Sequence, residues 1–137
     1  MSSSVAEVQA AASHLHMEDT ARIESLLFSV ARKWPQKTAI EDGTQAVNYE
    51  SLAGRAAGFA NRLYSSGVTL GDRVAIFLDK SIDAVAAMFG AWLAGAIVVP
   101  VNEGHKTRQV AHILNHSGSA FLITTARKLS RLEPDSY

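Results

Sequence analysis

The chain has 137 residues, 47% apolar and 19% charged, so a packed core is expected rather than a disordered polypeptide. Thirteen Lys and Arg balance thirteen Asp and Glu, and a formal net charge of zero excludes the basic excess that nucleic acid or an anionic membrane surface calls for. With no cysteine there is neither a disulfide framework nor a thiolate metal site, a composition that suits a cytoplasmic protein.

Met1 to Glu18 lacks a basic stretch followed by an apolar core, so it reads as a mobile extension rather than a secretory signal, and residues 19–137 are expected to form one domain. Ile23, Leu26, Leu27, Val30, Ala31 and Trp34 recur at helical spacing, with Asp19 or Thr20 placed to cap the start. Pro35 stops that helix, because it cannot donate to the backbone ladder and disfavours helix in the residue before it. A short extended pair is expected at Thr38 to Glu41 and Ala46 to Asn48, turning on Asp42-Gly43. Asn48 then caps a helix running to about Ser65 with Leu52, Ala56, Ala60 and Leu63 on one stripe, and Gly67 ends it.

Gly71-Asp72 leads into the clearest strand, Arg73 to Leu78. Ser81 caps a helix whose expected inner face is Ile82, Val85, Phe89, Trp92 and Leu93, stopped near Gly95. A strand at Ala96 to Val101, a helix from Thr107 to His116 and a strand at Ser119 to Thr124 follow, while residues 126–137 show little pattern beyond Leu129 and Leu132. The order β-α-β-α-β with nearly continuous apolar strands predicts a parallel sheet covered on both faces, a three-layer α/β/α fold. From Ala84 to Asn102 no residue carries a formal charge, a length that would cross a bilayer, but Gly90, Gly95 and Pro100 interrupt it. Its content also changes from helix-like to strand-like, so a buried helix followed by a buried strand is expected, not a membrane span.

Several blocks between residues 34 and 125 together resemble the opening segment of adenylate-forming (AMP-dependent) acyl-CoA synthetases and ligases. The blocks are Trp34-Pro35-Gln36-Lys37-Thr38-Ala39-Ile40, Asn48-Tyr49 with Leu52, and Gly67-Val68 with Gly71-Asp72-Arg73-Val74-Ala75-Ile76. Gly95-Ala96 with Val99-Pro100-Val101-Asn102 and then Gln109-Val110-Ala111-His112-Ile113-Leu114 with Leu122-Ile123-Thr124-Thr125 complete the series, and the last looks closer to acyl-CoA ligases than to peptide-synthetase domains. The resemblance implies activation of a carboxylate by ATP to an acyl-adenylate and transfer to a thiol such as that of coenzyme A. It implies ATP, Mg²⁺ and coenzyme A for the complete enzyme and the remaining subdomains of the ligase as partners. It also implies a Ser/Thr/Gly-rich loop with a Lys for the triphosphate and a Lys from a mobile C-terminal domain. No Gly-rich loop ending in Lys occurs in these residues, where Gly43, Gly54, Gly58 and Gly67 stand singly. No catalytic, cofactor-binding or metal residue is therefore assigned within the chain, which is expected to be inactive alone and to self-associate. The alternative is a non-catalytic interaction or dimerisation module. Within the match, Glu103 stands where the family usually has Pro, Lys80 where many members carry Asn, and Asn48 in place of the commoner Thr.

A few residues invite sharper readings. His112 and His116 are four apart on a helix, the spacing of a two-histidine metal face with His105 as a conceivable third ligand, yet Val110, Ile113 and Leu114 put both on the solvent side. The loop Asn102-Glu103-Gly104-His105-Lys106 and the triplet Asp79-Lys80-Ser81 lie at carboxyl ends of parallel strands, where open α/β sheets place ligands. Phe89 and Trp92 read as core, Arg55 and Arg62 as outer-face residues, and His14 and His16 as incidental.

Overall fold

Helix α1 spans Ile23–Lys33 and starts on an extended Arg22 that makes no side-chain cap bond. The computed structural model describes residues 22–132, so the expected mobile extension and the expected caps Asp19 and Thr20 lie outside the described residues. The buried face of α1 is Glu24, Leu27, Phe28 and Ala31, whereas Ile23, Leu26 and Trp34 are 46%, 65% and 48% exposed. The expected stripe is thus rotated toward Phe28, because α1 has apolar residues on more than one side and only the side facing the helices behind it is covered. Trp34 instead lies beside two ammonium groups, Lys33 at 4.4 Å and Lys37 at 5.5 Å from its ring centroid.

Strands β1 (Thr38–Asp42) and β2 (Gln45–Asn48) form an antiparallel hairpin that pairs Asp42 with Gln45 across Gly43-Thr44. The Asn48 side chain accepts the Ser51 N–H at 2.8 Å and starts α2 (Tyr49–Ser65), as expected. This helix buries Leu52, Ala53, Ala56, Ala57, Ala60 and Leu63. Strand β3 (Arg73–Phe77) follows, then α3 (Ile82–Leu93), whose first turn is capped by Ser81 Oγ accepting the Ala84 N–H at 3.1 Å. The chain continues through β4 (Ile97–Pro100), α4 (Thr107–Ser117), β5 (Phe121–Thr124) and a short α5 (Ala126–Leu129).

The last three strands form one parallel sheet in the order β4-β3-β5, with Val74 opposite Val98 on one side and Phe121 on the other. The chain leaves β3 in one direction and returns past it from β4 to β5, so right-handed crossovers put the two connecting helices on opposite faces. The packing follows that rule. Val74, Val98, Phe121 and Ile123 meet α1, α2 and α3 in the larger core, while Ala75, Phe77, Val99 and Leu122 meet α4 and Leu132 in the smaller one. Neighbouring residues of each strand therefore feed different layers, and both faces of the sheet are covered.

The inner face of α3 differs from the expected one. Ile82, Ala86, Ala87, Gly90, Ala91 and Leu93 are buried, and Val85, Phe89 and Trp92 are only half-buried. The reason is contact with α2: a Cβ added at Gly90 would lie 2.6 Å from the Ala56 carbonyl oxygen and 2.6 Å from Phe59 Cβ. Small residues on both helices let their backbones approach, and the bulky ones are displaced to the flanks, where Phe89 and Trp92 pack edge to face at 5.3 Å. Gly95 closes α3 with φ +82°, its N–H on Trp92 O and the Ala96 N–H on Ala91 O, which turns the chain straight into β4.

Candidate functional site

In a doubly wound sheet the chemistry is most often placed outside the carboxyl ends of the strands, at the point where the connections change direction. Here that point lies between β3 and β5, because β3 leads to β4 on one side and the chain next returns on the other. The residues just beyond these ends are Asp79-Lys80-Ser81, Asn102 to Lys106, and Thr124-Thr125 with the turn of α5.

Lys128 stands at their centre. Its Nζ is 2.9 Å from Asp79 Oδ1, donates to the Glu103 backbone carbonyl at 3.3 Å and lies 4.4 Å from the Phe77 ring centroid. Its side chain is 12% exposed although Asp79 is 72% exposed, so the ammonium is largely enclosed and the carboxylate faces water. The Lys128 hydrogen bond holds the Asp79 carboxyl below the usual aspartate range, with Arg127 and Arg131 adding at longer reach. Around it Glu103 Oε2 ties the two loops together by accepting the Lys80 N–H at 2.8 Å, and Asn102 Oδ1 accepts the Gly104 N–H at 2.8 Å within its own loop. Thr124 Oγ1 donates to the Phe77 carbonyl at 2.8 Å, and Thr125 Oγ1 caps α5 by accepting the Lys128 N–H at 3.1 Å.

The structure therefore brings together both sequence segments singled out at strand ends, and adds a residue that sequence reasoning missed. Lys128 falls in the stretch after residue 125 that shows little pattern. The signal that could have found it is Thr125, an N-cap residue immediately behind a parallel strand. His105 is half-buried in the same loop, and its Nδ1 is buried with no hydrogen-bond partner among the described residues.

The other tempting groups stay apart. His112 and His116 lie on the exposed side of α4, as expected, with rings stacked at 5.7 Å. Among the described residues no three His, Cys, Asp or Glu side chains gather as a metal site. Arg55 reaches across from α2 to Asp83 on α3 at 3.2 Å, an exposed ion pair of structural kind. His14 and His16 lie outside the described residues.

A family model described as "AMP-binding enzyme" matches residues 27–136, most of the chain. The chain belongs to the AMP-binding enzyme family. Within this family it is 33% identical over 102 residues to syringomycin synthase SyrB1 of Pseudomonas syringae pv. syringae, a match covering 74% of this chain and 17% of that protein. It is also 33% identical over 109 residues to the L-proline--[L-prolyl-carrier protein] ligase of Pseudomonas fluorescens, covering 80% of this chain and 22% of the ligase. Among solved structures, the N-terminal subdomain of Klebsiella oxytoca NpsA in complex with anthranilyl-AMSN superimposes with a TM-score of 0.76 at 22% identity. That match covers 84% of this chain and 29% of the NpsA chain and shows a shared fold. This AMP-binding family member thus spans less than a quarter of the length of either curated relative. The leaning of its last block toward acyl-CoA ligases finds no support in these names. No helix among the described residues is long and apolar enough to cross a membrane.

Proposed function

We propose that the chain is the N-terminal scaffold of an enzyme that activates a carboxylic acid with ATP as an acyl-adenylate and passes the acyl group to a thiol. The family match over residues 27–136 carries this reading. The residues of the match serve architecture: they cap helices, turn the chain at strand ends and pack the two faces of the sheet. ATP, Mg²⁺ and the acyl acceptor belong to parts of the enzyme that these residues support. For the acceptor, the prolyl ligase's name supports a carrier protein, with an amino acid as the first acid to try. Coenzyme A is the second acceptor, suggested by the block Gln109 to Leu114 alone. We place the protein in the cytoplasm on its lack of cysteine.

ATP–pyrophosphate exchange tests the proposal. The purified chain alone should show none with any amino, fatty or aromatic acid, since it offers no Gly-rich loop ending in Lys to hold the triphosphate. Mixed with a prolyl ligase lacking its own matching segment, it should restore part of the exchange. Exchange by the chain alone would refute its expected incompetence, and failure to complement would count against the scaffold role.

A second reading, self-association, is favoured by the two sheet edges. The Ile97 and Val101 amides donate to β3 at Asp72 O and Ile76 O, so the intervening Val98 and Pro100 face outward, and Pro100 has no N–H to offer. That edge is blunted. Strand β5 carries neither Pro nor charge, all four of its residues are half-buried, and among the described residues no strand lies beyond it. Such an edge favours pairing with another copy.

A further inference from the structure

We infer that the rim between β3 and β5 is a binding site for a primary ammonium group, and that Lys128 is its resident ligand. Three different kinds of partner converge on one nitrogen: a carboxylate oxygen at 2.9 Å, a backbone carbonyl at 3.3 Å and an aromatic ring at 4.4 Å. Each is attracted to a compact cation, and together they describe a cage for an ammonium carrying its own N–H donors. A quaternary ammonium would satisfy the ring but leave both oxygens without a donor, and a planar guanidinium would present its donors in a fork rather than from one point.

The walls do not depend on Lys128. Phe77 is the last residue of β3, and its carbonyl is held by Thr124 Oγ1 at 2.8 Å. The Glu103 segment is fixed by its own carboxylate on the Lys80 amide at 2.8 Å. The chain beyond α5 is fastened to the start of α4 by Thr107 Oγ1 donating to Arg131 O at 2.9 Å, and Leu132 is buried in the smaller core. Asp79, 72% exposed, is the partner on the open side, and Arg127 and Arg131 favour its ionised carboxylate while their own charges oppose a further cation. The cage should therefore outlast removal of the lysine side chain. It then presents the same partners to an ammonium from solution, at the place where doubly wound sheets hold their ligands.

The test is chemical rescue in the whole 137-residue chain. Lys128→Ala should lower Tm by about 5 °C, and excess n-butylammonium should restore at least half of the loss. Neutral n-butanol and tetramethylammonium at the same concentration should restore none. In the variant carrying Asp79→Asn as well, n-butylammonium should lose its effect. Four results would each overturn the inference: no loss of Tm in Lys128→Ala, no rescue, rescue matched by butanol, or rescue that survives Asp79→Asn. If Lys128→Ala does not fold, the native protein decides by NMR. The Lys128 ε-methylene protons should be shifted upfield by the Phe77 ring and return toward ordinary values in Asp79→Asn. Unshifted protons in the native chain would overturn the inference equally.

Discussion

Glu103 Oε2 accepts the backbone N–H of Lys80 at 2.8 Å, joining the loops that follow β3 and β4 across 23 positions of sequence. The resemblance singled out both positions, and the structure joins them by one bond. The Glu103 carboxylate holds the peptide of Lys80, so the identity of the Lys80 side chain matters less to this bond than that of Glu103. Glu103→Ala should cost about 1 kcal/mol in urea unfolding, and Lys80→Asn should cost little. Equal losses for the two variants would show that the coupling runs through the Lys80 side chain instead.

Gly90 is the position with least room. A methyl added there would lie 2.6 Å from the Ala56 carbonyl oxygen and must push the two helices apart, so Gly90→Ala should destabilise by about 1–3 kcal/mol despite the better helix propensity of Ala. Gly58, on α2 with nothing within 4 Å of an added Cβ, is the internal control, and Gly58→Ala should stabilise by up to about 1 kcal/mol. Chemical denaturation of the two variants separates close approach from propensity. A neutral Gly90→Ala would mean that α2 and α3 can slide.

Acid should loosen the rim. The folded-state value of Asp79 is lowered, chiefly by the Lys128 hydrogen bond, so the unfolded chain takes up this proton first as pH falls. The contribution is present in full above the ordinary aspartate range and is lost as pH falls from that range through the lowered value, which sets the window to measure. Tm measured through that window should fall less steeply in Asp79→Asn than in the native chain. Parallel slopes would assign the acid sensitivity to other carboxylates.

The two sheet edges should behave differently in solution. Sedimentation at rising concentration should show reversible association of the native chain, and hydrogen exchange should slow in the β5 segment as copies pair. Pro100→Val supplies the missing outward amide to β4 and should strengthen association. A native chain that stays monomeric at high concentration, with exchange in β5 independent of concentration, would remove the self-association reading. Protection of β5 that does not vary with concentration would point to cover from within the same chain.

Much of the scaffold was legible because its signals are local. Asn48 and Ser81 cap the helices they precede in the sequence, Gly95 stops α3, and the three apolar strands fall within two residues of their expected bounds. A cap or a positive φ is settled by a few neighbouring atoms, so short-range pattern suffices. The inner faces of α1 and α3 were less legible. Each helix has apolar residues on more than one side, and which side turns inward depends on what packs against it. Phe28 is buried where Leu26 was expected, and Gly90 where Phe89 was expected.

The sequence by itself determined the α/β class, the order of elements and the family, since periodicity and a series of short blocks express these along one dimension. Its glycines also stand singly, with no Gly-rich run ending in Lys. Only the tertiary structure decided the strand order β4-β3-β5, and with it the switch point between β3 and β5. That order brings Asp79 and Glu103, from two separate loops, onto the Lys128 nitrogen of α5, although 49 positions separate Asp79 from Lys128. Coulombic and aromatic contacts act over a few ångströms whatever the sequence separation, and so the ammonium cage exists only once the sheet has formed.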